Sequence, residues 1–193
     1  MRTVFFDVDT QIDFLYPAGA LYVPGAEHLV PNIARLNRFA VEHGIPLVSD
    51  TDAHREDDPE FADWPPHCIA GTLGQRKPAE TLVGKTAVVP WERGEYDIEG
   101  AGQTILEKQD LDCFANPNLP GLLDRLGAER YVVYGVVTEY CVKCAAFGLL
   151  RTGGEVEVVT DAIRELNPED GRRTLDEFVA AGGRLTTVAE VTG

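Results

Sequence analysis

Residues 130–142 read RYVVYGVVTEYCV, a β-branched and aromatic run that passes directly into helix-forming sequence carrying Cys141. The apolar run predicts a buried strand over 130–136. From Thr138 onward apolar residues recur at helical spacing, which predicts a helix over 138–152. Cys141 then sits on the first turn of a helix, where unpaired backbone N–H groups and the positive end of the dipole lower a thiol's pKa and receive an oxyanion. A small buried hydrophobe at a strand–helix junction is the alternative reading, so the rest of the chain has to decide between them.

Outward from that junction, short apolar runs alternate with helical patterns along the whole length. Strands are expected near 2–8, 45–50, 85–89, 130–136, 155–160 and 184–187, and helices near 27–43, 119–127, 138–152 and 169–182. Gly44, Gly127, Gly153-Gly154 and Gly182-Gly183 stand just past the four helices, where a left-handed residue closes a helix. This order predicts an α/β fold, a three-layer doubly wound sandwich with a mostly parallel six-stranded sheet. At 193 residues the expectation is a single domain over 1–193. Two stretches, Thr51–Gly84 and Trp91–Pro120, are long, polar and rich in Pro and Gly, and loops of that length are usually functional.

The net charge of -15, with only 17 Lys and Arg, argues against nucleic acid as a partner, because phosphate binding relies on clustered cations. No stretch has the apolar length of a membrane span, and the start, RTVFFDV, reads as a strand rather than a leader. A cytoplasmic protein with no membrane partner is expected. The four cysteines, Cys68, Cys113, Cys141 and Cys144, are too few for a disulfide framework and are expected to be thiols.

Several residues offer chemistry. The first strand runs into DVDTQIDF, residues 7–14, where Asp9 lies at the carboxyl end of a strand, the usual place for ligand-binding groups in open α/β sheets. Asp9 there is able to take a proton from a thiol, whereas Asp13 and Asp7 read as turn caps. Alternation along the strand puts Asp7 and Asp9 on one face. Asp52 and His54 are two apart after the second strand, and His67 follows thirteen residues later in WPPHC. Two His and one carboxylate suit zinc, iron or manganese with open positions, although Asp-x-His in a polar loop is also commonly solvated or capping. Cys68, adjacent to His67, is expected to point elsewhere. Lys108, in LEKQD, falls in a loop where lysine is ordinarily surface. Cys141 and Cys144 form a C-x-x-C without the second pair of a structural zinc site or the early position of a redox dithiol.

Taken in chain order, Asp9, Asp52, His54, His67, Lys108 and Cys141 resemble the isochorismatase-like cysteine hydrolases, and within them the metal-containing nicotinamidases. VDTQIDF at 8–14 is similar to the family's first-strand motif, GVVTEYCV at 135–142 to its nucleophile turn, and DAH at 52–54 with WPPHCIAGT at 64–72 to its metal segment. The resemblance implies a catalytic trio of Asp9, Lys108 and Cys141. It further implies one divalent metal, zinc foremost, on Asp52, His54 and His67, and a flat substrate ring between Phe14 and Trp64. A cis peptide between Val137 and Thr138 beside the oxyanion donors is implied as well. The implied reaction is nicotinamide to nicotinate and ammonia through a thioester, a step of pyridine nucleotide salvage on a small-molecule amide, in a chain that self-associates. Two segments depart from the pattern: DCFANP at 112–117 replaces an aromatic-Ser-Gly-Phe stretch, and Ala145 and Gly148 stand where relatives carry Thr and Asp. Glu139 replaces Asp, a change expected to matter little. The departures keep open a sister hydrolase acting on another amide or ureido compound. A non-catalytic metal- or thiol-dependent binding protein is the reading from another class.

Overall fold

The structure, a computed structural model, describes all residues 1–193. Strands β1 (Thr3–Val8), β2 (Leu47–Asp52), β3 (Thr86–Val89), β4 (Gln103–Lys108), β5 (Arg130–Val136), β6 (Glu155–Arg164) and β7 (Arg184–Thr186) form one sheet. Their order is β3-β4-β2-β1-β5-β6-β7 and every pair is parallel. The helices are α1 (Ile12–Leu15), α2 (Val30–Glu42), α3 (Leu119–Leu126), α4 (Lys143–Arg151), α5 (Pro168–Ala180) and α6 (Val188–Thr192). From β1 the chain winds outward through α2 to β2 on one side, and from β5 through α4 to β6 on the other. Right-handed crossovers in opposite directions put α2 and α4 on opposite faces. Contacts between α2 and α6 and between α4 and α5 agree with two helical layers.

The central strands read as continuous apolar runs because helices cover both faces. Val4, Phe5, Phe6 and Val8 of β1 and Val132, Val133 and Val136 of β5 are all buried in the principal core. Gly135 is demanded by the packing: its φ is +124°, and a Cβ there would lie 2.0 Å from the Val8 carbonyl oxygen. No helix is long and apolar enough to cross a membrane.

The sheet has seven strands, not six, and the added one corrects the reading of Trp91–Pro120 as loop. In β4, QTILEK, the apolar centre is flanked by polar residues that are nevertheless buried. Gln103 Nε2 donates to Ser49 Oγ at 2.8 Å, and Lys108 is wholly buried among carboxylates. Hydropathy conceals a strand whose polar residues are paired inside the protein. The helix expected from 138 opens instead as a π turn over Thr138–Val142 before α4 begins, and β2 runs on to Asp52, making Asp52 a strand residue.

Candidate active site

Four neighbouring strands end at one place. In sheet order β4, β2, β1 and β5 deliver Lys108, Asp52, Asp9 and Cys141, with Lys108 directly in register with Asp52 and Val8 with Gly135. This is the carboxyl edge next to the switch in winding direction, where open α/β sheets form a crevice.

Lys108 is the hub. Its Nζ lies 2.9 Å from Asp9 Oδ2, also pairs with Asp52 Oδ1, and is 3.9 Å from Cys141 Sγ. The surface reading of Lys108 is therefore corrected: it ends a buried strand, and two carboxylates compensate its charge. Asp9 has left the strand, with φ at +47° in the left-handed region, and shares no partner with Asp7. Asp7 instead accepts from Lys77 Nζ at 2.8 Å, Ser49 Oγ at 3.0 Å and Asn37 Nδ2 at 3.1 Å. The left-handed turn overrides simple alternation, and Asp7 belongs to a buried network rather than to a turn cap.

Burial, reinforced by Asp52, pushes the Asp9 carboxyl up to about 6 against the opposing pull of Lys108. The Cys141 thiol is likewise raised well above its ordinary value, because burial outweighs Lys108. This corrects the expectation of a thiol lowered by the helix dipole. The turn bearing Cys141 is buried, so desolvation of a thiolate dominates. A neutral thiol at rest needs a base, and Asp9 is the carboxylate across Lys108.

The cis peptide is found between Val136 and Val137, one residue before the expected bond. The Val137 carbonyl is the first acceptor of the π turn, receiving the N–H groups of Tyr140 and Val142, each at 3.1 Å, so the Val137–Thr138 peptide belongs to the helical turn. Thr138 Oγ1 is buried without a hydrogen-bond partner.

Beside this cluster Asp52, His54 and His67, all buried, present ligand atoms that lie within 4.8 Å of one another. The Nε2 atoms of His54 and His67 are each 3.5 Å from Asp52 Oδ2. Those separations are close to the edge, about 3.4 Å, of a tetrahedron with metal–ligand bonds near 2.1 Å. The Nδ1 atoms face other groups: that of His67 is 2.8 Å from the Pro65 carbonyl and that of His54 is 3.0 Å from Asp58 Oδ2. Both Nε2 atoms face Asp52, and neither ring nitrogen of His54 has a hydrogen-bond partner although the residue is fully buried. The residues fit a divalent cation. Burial would raise Asp52, but Lys108 and the two histidines outweigh it and hold the carboxyl far below its usual range. Burial would lower His54, yet Asp52 and Asp58 push it up to about 9, so the pocket attracts positive charge.

Phe14, Trp64, His67, Val137 and Cys141 line one small cavity together with residues that sequence reasoning missed, among them Tyr140, Leu111, Glu60 and Leu166. Trp64 meets Tyr140 edge to face at 5.4 Å, and Phe14 meets His67 at 5.3 Å. Tyr140 adjoins the nucleophile turn in sequence, a signal that was available. Leu166 had none, because it arrives from a distant turn. Cys144 is partly exposed, Cys113 and Cys68 are buried, and all four cysteines are free thiols.

The model of the isochorismatase domain matches residues 3–190. The chain belongs to the isochorismatase family. It is 27% identical to the nicotinamidase of Escherichia coli over 95% of this chain and 93% of that protein. The zinc complex of the pyrazinamidase of Pyrococcus horikoshii superposes with a TM-score of 0.81 at 28% identity, covering 97% of this chain and 99% of the other. The N-carbamoylsarcosine amidase of Thermoplasma acidophilum also gives 0.81, at 25% identity over the whole of both chains. The structural likeness agrees with the parallel α/β fold described above.

Proposed function

We propose that the protein is a cysteine-dependent amidohydrolase that converts nicotinamide to nicotinate and ammonia. The observation that carries this reading is the convergence of Asp9 and Cys141 on the buried Lys108, with Cys141 also lining an aromatic-walled cavity. Asp9, held against Lys108, takes the Cys141 proton, and the sulfur attacks the amide carbon. Negative charge developing on the oxygen is received by the N–H groups of the Thr138–Cys141 turn, each such donor being worth about 3 kcal/mol in the transition state. Asp9 returns its proton to the departing nitrogen, ammonia leaves, and a thioester remains on Cys141. Water then adds to that thioester with Asp9 again accepting a proton, which passes back to the thiol as the acid departs.

Phe14 and Trp64 offer aromatic faces to a flat ring. Asp52, His54 and His67 would hold a divalent metal, with zinc favoured over iron or manganese, that gives the ring nitrogen a ligand position and so orients the carboxamide. The similarity to the Escherichia coli nicotinamidase and to the zinc-bound Pyrococcus pyrazinamidase supports this substrate and this ion.

A second reading, an amide or ureido hydrolase with another substrate, is favoured by Leu111. It lines the cavity from the loop that leads into the atypical segment 112–117, and an N-carbamoylsarcosine amidase shares the fold. The test is ammonia release from nicotinamide by the purified protein, beside Cys141→Ala and a chelator-treated sample. Release is expected to vanish with the variant and to fall on chelation. No release from folded, metal-loaded protein would remove nicotinamide as the substrate and favour the second reading. Retained ligand affinity in a wild-type protein with no turnover of any amide would instead favour a binding protein.

A further inference from the structure

The turn that follows β1 carries more than Asp9. Strand β1 pairs with β2 only as far as Val8 opposite Asp50, so β2 continues for two residues without that neighbour. The side chain of Gln11 takes the missing strand's place. Its Oε1 accepts the Asp52 N–H at 2.7 Å and its Nε2 donates to the Asp52 carbonyl at 2.8 Å. A primary amide thereby completes both backbone bonds of a candidate metal ligand, and its second N–H binds the Gln75 carbonyl at 2.7 Å. Gln11 is itself wholly buried.

Two residues on, Asp13 does the corresponding work for the other half of the site. Its Oδ2 accepts the Cys68 N–H at 2.7 Å, directly after His67, and its Oδ1 accepts the Ala20 N–H at 2.9 Å. Cys68 has a left-handed backbone, φ +45°, which this bond helps to hold. The carboxylate is closely enclosed: a Cβ on Gly74 would lie 2.1 Å from Asp13 Oδ2. Segment 68–70 is in turn bridged to His54, whose N–H binds the Cys68 carbonyl at 3.2 Å and whose carbonyl accepts from Ala70 at 2.9 Å.

We propose that Gln11 and Asp13 are positioning residues of the metal site, Gln11 by fixing Asp52 and Asp13 by fixing His67 through Cys68. This rests on the reading of Asp52, His54 and His67 as metal ligands. One turn would then set the acid Asp9 and both metal-bearing segments against each other, giving Asp13 a purpose beyond turn capping.

The test is metal affinity, measured by chelator competition with zinc on wild-type protein, Gln11→Glu, Gln11→Met, Asp13→Asn and Asp13→Ala, with exposed Asp57→Asn as control. Gln11→Glu keeps the acceptor for Asp52 N–H and loses both donors, and Asp13→Asn keeps one acceptor. Asp13→Asn should therefore fall between wild type and Asp13→Ala, whereas Gln11→Glu, which sets an acceptor oxygen against the Asp52 and Gln75 carbonyls, should lose at least as much as Gln11→Met. The expected loss is about 10- to 100-fold in zinc affinity for Gln11→Met and Asp13→Ala, with Asp57→Asn unchanged. The metal-free variants should melt lower than wild type, because backbone groups of Asp52, Gln75 or Cys68 lose their partners, but they should remain folded at assay temperature, with the alkylation rate of Cys141 near wild type. Zinc affinity equal to wild type in all four variants would overturn the inference while leaving the metal reading intact. So would affinity lost only in proportion to general unfolding. A wild-type protein that takes up no stoichiometric metal would overturn both.

Discussion

Asp9 must be ionised to accept the Cys141 proton, and burial with Asp52 nearby lifts it to about 6. The sign follows directly: below that value the carboxyl is protonated and the base is lost, above it the base is present. The acid limb of the kcat/KM profile for nicotinamide is therefore expected near pH 6, falling with the ionised fraction. A limb near the ordinary carboxylate value, about 4, would show that Asp9 is not the group titrated. The grouping of Asp9, Lys108 and Cys141 was implied by the family resemblance of their motifs, but Lys108 was not legible as a buried group. A lysine among Leu106, Glu107 and Gln109 looks solvated, and only the pairing of β4 with β2 reveals the carboxylates that compensate it. The thiol was misjudged for a related reason, since the sequence did not show a burial deep enough to outweigh the groups that favour a thiolate.

At the scale of elements, the departures from the family pattern at 112–117 and at Gly148 prove to be coupled. Segment 112–117 forms a short turn whose Phe114 ring lies over Gly148 of α4, and a Cβ on that glycine would sit 2.2 Å from the ring. A large residue in the loop and the absence of a side chain on the helix compensate each other. Gly148→Ala is expected to destabilise by about 1–3 kcal/mol from overpacking, and Phe114→Leu should relieve much of that loss. Additive effects in a double-mutant cycle of thermal or denaturant unfolding would contradict the coupling. Glu139 is a second example. The change from Asp to Glu looked minor in sequence, yet Glu139 Oε1 accepts the N–H groups of Leu166 at 3.0 Å and Asn167 at 2.8 Å. It fastens the turn that brings Leu166 to the cavity, so Glu139→Ala should raise KM several-fold with a smaller change in kcat. An unchanged KM would mean that Leu166 holds its place without this anchor. Most strands and helices were readable from their periods, because β1, β5 and β6 are apolar and α2, α4 and α5 are amphipathic. The exceptions were β4, whose polar ends are satisfied by partners distant in sequence, and the helices α1 and α6, each too short to show a period.

Across the whole molecule, the sheet order turns separate motifs into one site. Asp9, Asp52, Lys108 and Cys141 are spread over much of the chain, yet they sit at or just past the ends of four adjacent strands. A doubly wound fold brings such residues together, and it was the family resemblance of the motifs that pointed to their proximity. What sequence could not supply was the metric detail: the 3.5 Å approach of both Nε2 atoms to Asp52 and the position of Leu166. The central claim is that Cys141 forms an acyl intermediate with the carboxamide carbon. It is tested most directly by mass spectrometry of protein acid-quenched during turnover of nicotinamide. One nicotinoyl group on the peptide containing Cys141, absent from Cys141→Ala, is the expected result. Ammonia release that persists in Cys141→Ala, with no acyl group on any cysteine of the wild type, would contradict it.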